Sequence, residues 1–169
     1  LGPQGHAAQG IWLHPSDRSK AERGLALYLN QPPGPVRAEP AKPAPQGSPL
    51  MAFRTVALGS LVHLQANVSG WLQAEAAPAN QPNPEFMHQA RLALRQLRKA
   101  LKRFGPVLPR RFVAHWRGQW QATERALASA NNRERRAALS APAHALNLLA
   151  FTRAVLALQD PPRPTKRAR

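Results

Sequence analysis

Basic side chains recur through residues 85–104, EFMHQARLALRQLRKALKRF. Plotted at the helical step of about 100° per residue, His88, Arg91, Arg95, Arg98, Lys99 and Lys102 fall within an arc of roughly 100°. The chemistry open to such a rail is multivalent capture of a polyanion. A guanidinium fork pairs with two oxygens of one phosphate, whereas an ammonium acts as a more mobile point charge. Phosphates in a linear polymer repeat at about the rise of two helical residues, ~3 Å, so cations one turn apart can each meet a different phosphate. Arg91, Arg95 and Arg98 are the leading candidates, followed by Lys99 and Lys102. His88 either donates a hydrogen bond to a phosphate or fixes the helix start against a preceding helix. Like charges three and four residues apart repel by about 0.2–0.5 kcal/mol per pair. No acidic residue lies between Glu85 and Glu124, so an anion from outside is the simplest compensation. The bland alternative is a solvated helix face.

The element carrying these groups must bury its other side. Phe86, Met87, Ala90, Ala93, Leu94, Leu97, Ala100, Leu101 and Phe104 project opposite the rail; Leu92 lies among the cations, and Arg103 sits at the edge with a stem long enough to cover apolar neighbours. Asn83, Pro84 and Glu85 supply a cap, a first-turn proline and an acid at the positive end of the dipole. Gly105 and Pro106 read as a left-handed terminator and a stop. Before this helix, Leu50, Phe53, Ala57, Leu61, Leu64, Val68 and Trp71 step by three and four residues, predicting a helix over Pro49–Ala76 with Gly59 and Gly70 as weak points. Arg54 lies on its opposite side and could widen the basic surface, as could Arg110, Arg111 and Arg117 on a third helix over 110–130. Phe112, Trp116, Trp120, Thr123 and Leu127 form the buried stripe of that third helix. A fourth helix over about 131–158 contains Pro142, which should kink or split it. Short connections predict an all-α, antiparallel bundle of about four helices.

Composition narrows the partners. With 24 Lys and Arg against 8 Asp and Glu, the formal net charge of +16 calls for a polyanion: polyphosphate, nucleic acid or an anionic membrane surface. No apolar run reaches spanning length, so membrane insertion is not expected. There are no cysteines, which removes thiolate chemistry and suits a reducing cytoplasm. No Gly-rich phosphate loop, nucleophile elbow or paired carboxylates are present, so no catalytic role and no cofactor are expected. His63, His115 and His144 are scattered without carboxylates at ligand spacing, which argues against a metal site. Exposed tryptophans could stack bases, but Trp71, Trp116 and Trp120 fall at core spacing, while Trp12 lies in the proline-rich beginning. Residues 1–48, with QPPGP and EPAKPAPQGSP, read as an arm, within which 19–29 has weak apolar periodicity; 49–160 read as the bundle and 161–169 as a disordered basic tail.

The run HQARLALRQLR resembles the leading motif of the CHAD family, approximately H-Q-x-R-V-x-x-R-R-L-R, in His88, Gln89, Arg91, Arg95, Leu97 and Arg98, with Leu92 and Gln96 as departures. Asn67 fits the preceding helix of that family. The Leu-Gly-x-x-Arg-Asp element of the family would fall near residues 119–125, where only Glu124 keeps an acidic position. This resemblance implies a helical domain that binds inorganic polyphosphate along a basic surface, in the cytoplasm and in association with polyphosphate granules. Members usually carry a second, related bundle, so this chain is expected to be a piece or a degenerate copy of a longer one. SKAERG (19–24) and PVRA (35–38) resemble the segment that closes a CYTH triphosphatase domain. That likeness implies an accessory or remnant part of a two-domain triphosphatase as the alternative function. A basic nucleic-acid-binding protein, favoured by the KRAR end, ranks third.

Overall fold

Three helix starts are capped by a side chain, at Ser48, Asn83 and Asn131. The structure is a computed structural model and describes residues 34–42, 45–77, 81–129 and 131–160. The periodic segment at 19–29, Trp12, most of the proline-rich arm and the basic tail at 161–169 lie outside the described residues. Helix α1, Pro49–Ala76, begins with the Ser48 hydroxyl accepting from the Met51 N–H at 3.2 Å and with proline in the first turn. Helix α2, Pro84–Arg103, repeats the device: the Asn83 side chain accepts from the Glu85 N–H at 2.9 Å. Helix α3 spans Arg110–Ala128, α4 Asn132–Ser140 and α5 Pro142–Ala157. Pro142 therefore splits the expected fourth helix in two. Ala141 takes the extended conformation that a following proline favours, with φ −63° and ψ 140°.

The end of α2 differs from expectation. Gly105 does not occupy the left-handed region. The chain tightens instead into a 3-10 turn, Gly105–Val107, in which the Val107 and Leu108 N–H groups bond the carbonyls of Phe104 and Gly105 at 3.0 and 3.1 Å. Pro106 fits the first turn of that element, where its missing N–H has no role.

Four long helices close into an up-down ring. Helices α1 and α2 run antiparallel, with Phe53 against Phe104 at one end (ring centroids 5.8 Å apart) and Gly70 against Phe86 at the other. Helix α3 returns along α2, and α5 returns along α3, where Phe151 meets Trp116 at 4.9 Å and Trp120 at 5.0 Å. The ring closes where the Ser48 hydroxyl donates to Asp160 at 3.3 Å. The core holds Phe53, Leu64, Leu94, Leu97, Trp120, Leu127 and Phe151, all essentially inaccessible. Trp71, Trp116 and Trp120 belong to that core, and none offers a ring face for a base. Helix α4 is a short strut: Leu139 enters the core, and Arg136 pairs with Glu75 of α1 at 3.3 Å.

Of the two α1 glycines, only Gly59 is a weak point. A Cβ at Gly70 would lie 2.3 Å from a ring carbon of Phe86, which is itself buried, whereas a Cβ at Gly59 would meet nothing within 4 Å. Gly59→Ala should therefore stabilise the protein by up to about 1 kcal/mol through helix propensity. Gly70→Ala should destabilise it by about 1–3 kcal/mol through overpacking. Urea denaturation of the two variants checks this; equal effects would mean that α1 and α2 do not approach at Gly70.

Candidate functional site

The clean buried stripe of α2 presents the opposite side of that helix to solvent. Phe86, Met87, Ala90, Ala93, Leu94, Leu97, Ala100 and Leu101 are buried, while His88, Arg91, Arg95, Lys99 and Lys102 are exposed and Arg98 is half-buried. Tertiary contacts then sort these cations into two groups. On the side toward α3, Arg98 forms an ion pair with Glu124, and Arg91 donates to the Leu127 carbonyl at 3.1 Å, in the last turn of α3. The first contact accounts for the acidic residue kept at position 124. Both partners are more than a third exposed, so the pair is worth at most about 1 kcal/mol. The second places a cation at the negative end of the α3 dipole.

His88, Arg95, Lys99 and Lys102 make no hydrogen bond or ion pair with the described residues. They lie along the outermost ridge, and from His88 to Lys102 that ridge rises about 21 Å. Arg103 leans over the ring of Phe104, its guanidinium carbon 5.5 Å from the centroid. Beside it, Gln96, Lys99 and Lys102 border a shallow groove against Val56 of α1. Arg110, Arg111 and Arg117 on α3 are exposed. Arg117 precedes Glu124 by about two turns and so shares its face of α3.

Arg54 does not join the rail. Its guanidinium donates to the Val155 carbonyl at 3.3 Å and to the Leu158 carbonyl, capping the open end of α5. The last carbonyls of a helix lack internal partners, so a half-buried arginine there satisfies them and offsets the dipole. Arg54 is a structural cation in this fold, and its sequence position on the outer side of α1 gave no sign of α5.

A polar clamp joins α1, α2 and the arm. Asn67 grips the main chain of Val36 as a neighbouring strand would: its carbonyl oxygen accepts from the Val36 N–H at 3.0 Å, and its amide donates to the Val36 carbonyl at 2.9 Å. The Nε2 atom of His63 lies 3.0 Å from that carbonyl and 2.9 Å from Oε1 of Gln89. Both neighbours are acceptors, so Nε2 carries the proton. Gln89 in turn donates to Glu85 at 2.7 Å. Asn67 and Gln89 were visible only as motif positions, because Asn67 meets a backbone segment more than thirty residues away in the chain and Gln89 meets His63, which holds the same segment. Their work is to seat the arm against the rail helix.

His144 lies apart, in a cleft of about 250 Å³ between α3, α4 and α5 that Gln119, Thr123 and Asn147 also line. Its Nε2 is buried without a hydrogen-bond partner, and burial lowers its pKa from the ordinary 6.5. Below about pH 6.5 the unfolded chain thus binds a proton that the folded protein resists. The stability that His144 contributes is complete above that pH and is lost as pH falls toward the depressed folded value. His144→Gln should flatten the decline in melting temperature between pH 7.5 and 5; an unchanged slope would remove His144 as its source.

Among the described residues, no group of three or more His, Asp or Glu side chains could hold a metal ion, and no helix is long and apolar enough to cross a membrane. A family model described as the CHAD domain matches residues 57–168. The match thus extends through α3, α4 and α5, well past the α2 segment whose motif carried the resemblance. No curated protein matches the chain, and no solved structure does.

Proposed function

The chain belongs to the CHAD domain family, and we propose that it is a non-enzymatic module that binds inorganic polyphosphate along the outward ridge of α2. The observation that carries this reading is the row of His88, Arg95, Lys99 and Lys102, exposed on a single helix and without a counter-charge among the described residues. Like charges stacked at one-turn intervals cost free energy in the unliganded protein. A linear phosphate polymer offsets that cost by placing successive anions beside successive cations. Arg91 and Arg98 flank the ridge with one side of each guanidinium held by α3, which limits the side-chain freedom lost on binding. Lys99 and Lys102 extend the contact toward the groove at Arg103. The cytoplasm, where polyphosphate granules occur, is the location that fits this partner.

Equilibrium titration with long-chain polyphosphate and with single-stranded DNA, at matched total phosphate, tests the reading. Polyphosphate is expected to bind more tightly, with affinity rising with chain length. Equal affinity and equal salt dependence for the two polymers would reduce the protein to a general polycation and favour the nucleic-acid reading.

A second reading has its own support. The 35–38 segment, which resembles the exit of a CYTH domain, is bound to α1 and α2 through Val36. An arm seated in this way would hold a preceding domain at a defined angle to the rail. The accessory part of an inorganic triphosphatase is therefore the alternative function, and the coding DNA upstream of Leu1 decides it. A reading frame with the E-x-E-x-K pattern would support it, and its absence would leave the binding module alone.

A further inference from the structure

We infer that the cleft between the arm and the outer side of α1 is a nucleotide site, which takes the base and sugar of a nucleoside triphosphate while Lys99, Lys102 and Arg103 of α2 take its phosphates. Such a site goes beyond polyphosphate capture and shares only Lys99 and Lys102 with it.

Between Arg54 and Glu75, α1 carries no Asp, Glu, Lys or Arg. Its outer side therefore lacks the charges that solvate the outer side of α2, and a helix of this kind favours cover. The arm supplies part of it. Asn67 and His63 pin Val36 at one end, and Ser48 caps α1 at the other. Between these anchors a cleft of about 690 Å³ remains, with Val56, Gly59 and Val62 on the α1 wall, Pro40 on the arm wall, and Gln96 and Arg103 of α2 at its edge. Gly59 deepens it, because an added Cβ would meet no atom within 4 Å. Apolar walls with a few polar groups at one end are the usual make-up of a small-molecule site, and the volume suits one.

The apolar slot opens directly onto cations. It shares Val56, Gln96 and Arg103 with the groove that Lys99 and Lys102 border. From Lys99 to Arg103 the helix rises about 6 Å, the span of three phosphates at ~3 Å steps. The Arg103 guanidinium leans on the Phe104 ring and has no carboxylate partner among the described residues. Arg37 joins from the arm, and Glu39 is the one acid that lines the cleft. Gln96 stands at the junction, where the motif H-Q-x-R-V-x-x-R-R-L-R has an arginine. An arginine there would add a phosphate contact, whereas the neutral amide offers a donor and an acceptor together, the pair that matches a base edge or a sugar hydroxyl. Inorganic polyphosphate has nothing apolar to place in the slot. A fatty acid has one charge for three cations. A nucleoside triphosphate has both the body and the charge.

Calorimetric titration of the full chain with ATP, GTP, CTP and UTP tests this, with inorganic tripolyphosphate as the nucleoside-free control and long-chain polyphosphate beside them. At least one nucleotide is expected to bind about tenfold more tightly than tripolyphosphate, the discrimination that one small pocket supplies, although tripolyphosphate carries the higher charge. Gly59→Leu fills the slot and should remove that advantage while leaving tripolyphosphate and long-chain polyphosphate binding unchanged. Its melting temperature should not fall, because the position is open and leucine is the better helix former. Gln96→Arg, at an exposed position, tests the site without altering α1 and should shift the preference toward tripolyphosphate. If no nucleotide binds more tightly than tripolyphosphate while long-chain polyphosphate still outcompetes single-stranded DNA, the nucleotide site is overturned and the polyphosphate reading stands. A nucleotide advantage that survives both substitutions would place the nucleoside elsewhere and overturn the site as well. A nucleotide advantage lost in Gly59→Leu, with long-chain polyphosphate bound no better than single-stranded DNA, would uphold the site and overturn the polyphosphate reading.

Discussion

Arg95→Glu combined with Lys99→Glu is expected to lower polyphosphate affinity by at least about 100-fold and to leave the ligand-free protein as stable as the parent. Each reversal deletes a charge-assisted contact, worth about 1.5–3 kcal/mol when well made, and adds a repulsion toward the neighbouring phosphate. The two effects together exceed the 2.7 kcal/mol that corresponds to a hundredfold change. Stability should not suffer, since neither side chain has a partner among the described residues. New acids would also sit within a turn of Arg91, Arg98, Lys102 and Arg103, converting like-charge pairs into attractive ones. Calorimetric titration read beside thermal melting separates the two quantities. Retained affinity would move the site off α2. A control comes from Arg98→Glu, which faces Glu124 and so must lose an internal ion pair as well as an outward charge. That variant should be the less stable of the two.

Trp120→Ala should cost about 3–5 kcal/mol, a large part of the stability of a bundle of this size. Trp120 is completely buried, stacked on Trp116 with centroids 5.8 Å apart and set edge-on to Phe151 at 5.0 Å. The cavity left behind would open between α3 and α5. Trp116 and Phe112 would still meet Phe151 at 4.9 and 6.3 Å, so the side of the ring opposite α1 and α2 would be weakened rather than lost. Far-ultraviolet circular dichroism in a urea series measures the change. A loss under about 1 kcal/mol would indicate that the tryptophans are not the joint between these helices. The result also bears on function, because an exposed base-stacking tryptophan could be removed with little effect on folding.

Much of the architecture can be read along the chain. The three- and four-residue steps of Leu50, Phe53, Ala57, Leu61, Leu64, Val68 and Trp71 place the stripe of α1, and the caps at Ser48 and Asn83 place two helix starts, because both depend on neighbours within one turn. Pro142 marks a break for the same reason. Gly105 was misread because a helix can end either in a left-handed residue or in a 3-10 turn. Which of them occurs depends on how Leu108 packs, and Leu108 is buried in the core.

What the amino-acid order alone determined is the ridge itself: a helix of about 100° per residue places those cations on one side whatever surrounds it. Only the tertiary structure decided which of them are available. Glu124 reaches Arg98, the Leu127 carbonyl holds Arg91, and the end of α5 takes Arg54 from a helix about a hundred residues away in the chain. The spacing of neighbours sets the direction of a side chain, but its counter-charge is supplied by whichever distant segment the packing of the core brings alongside.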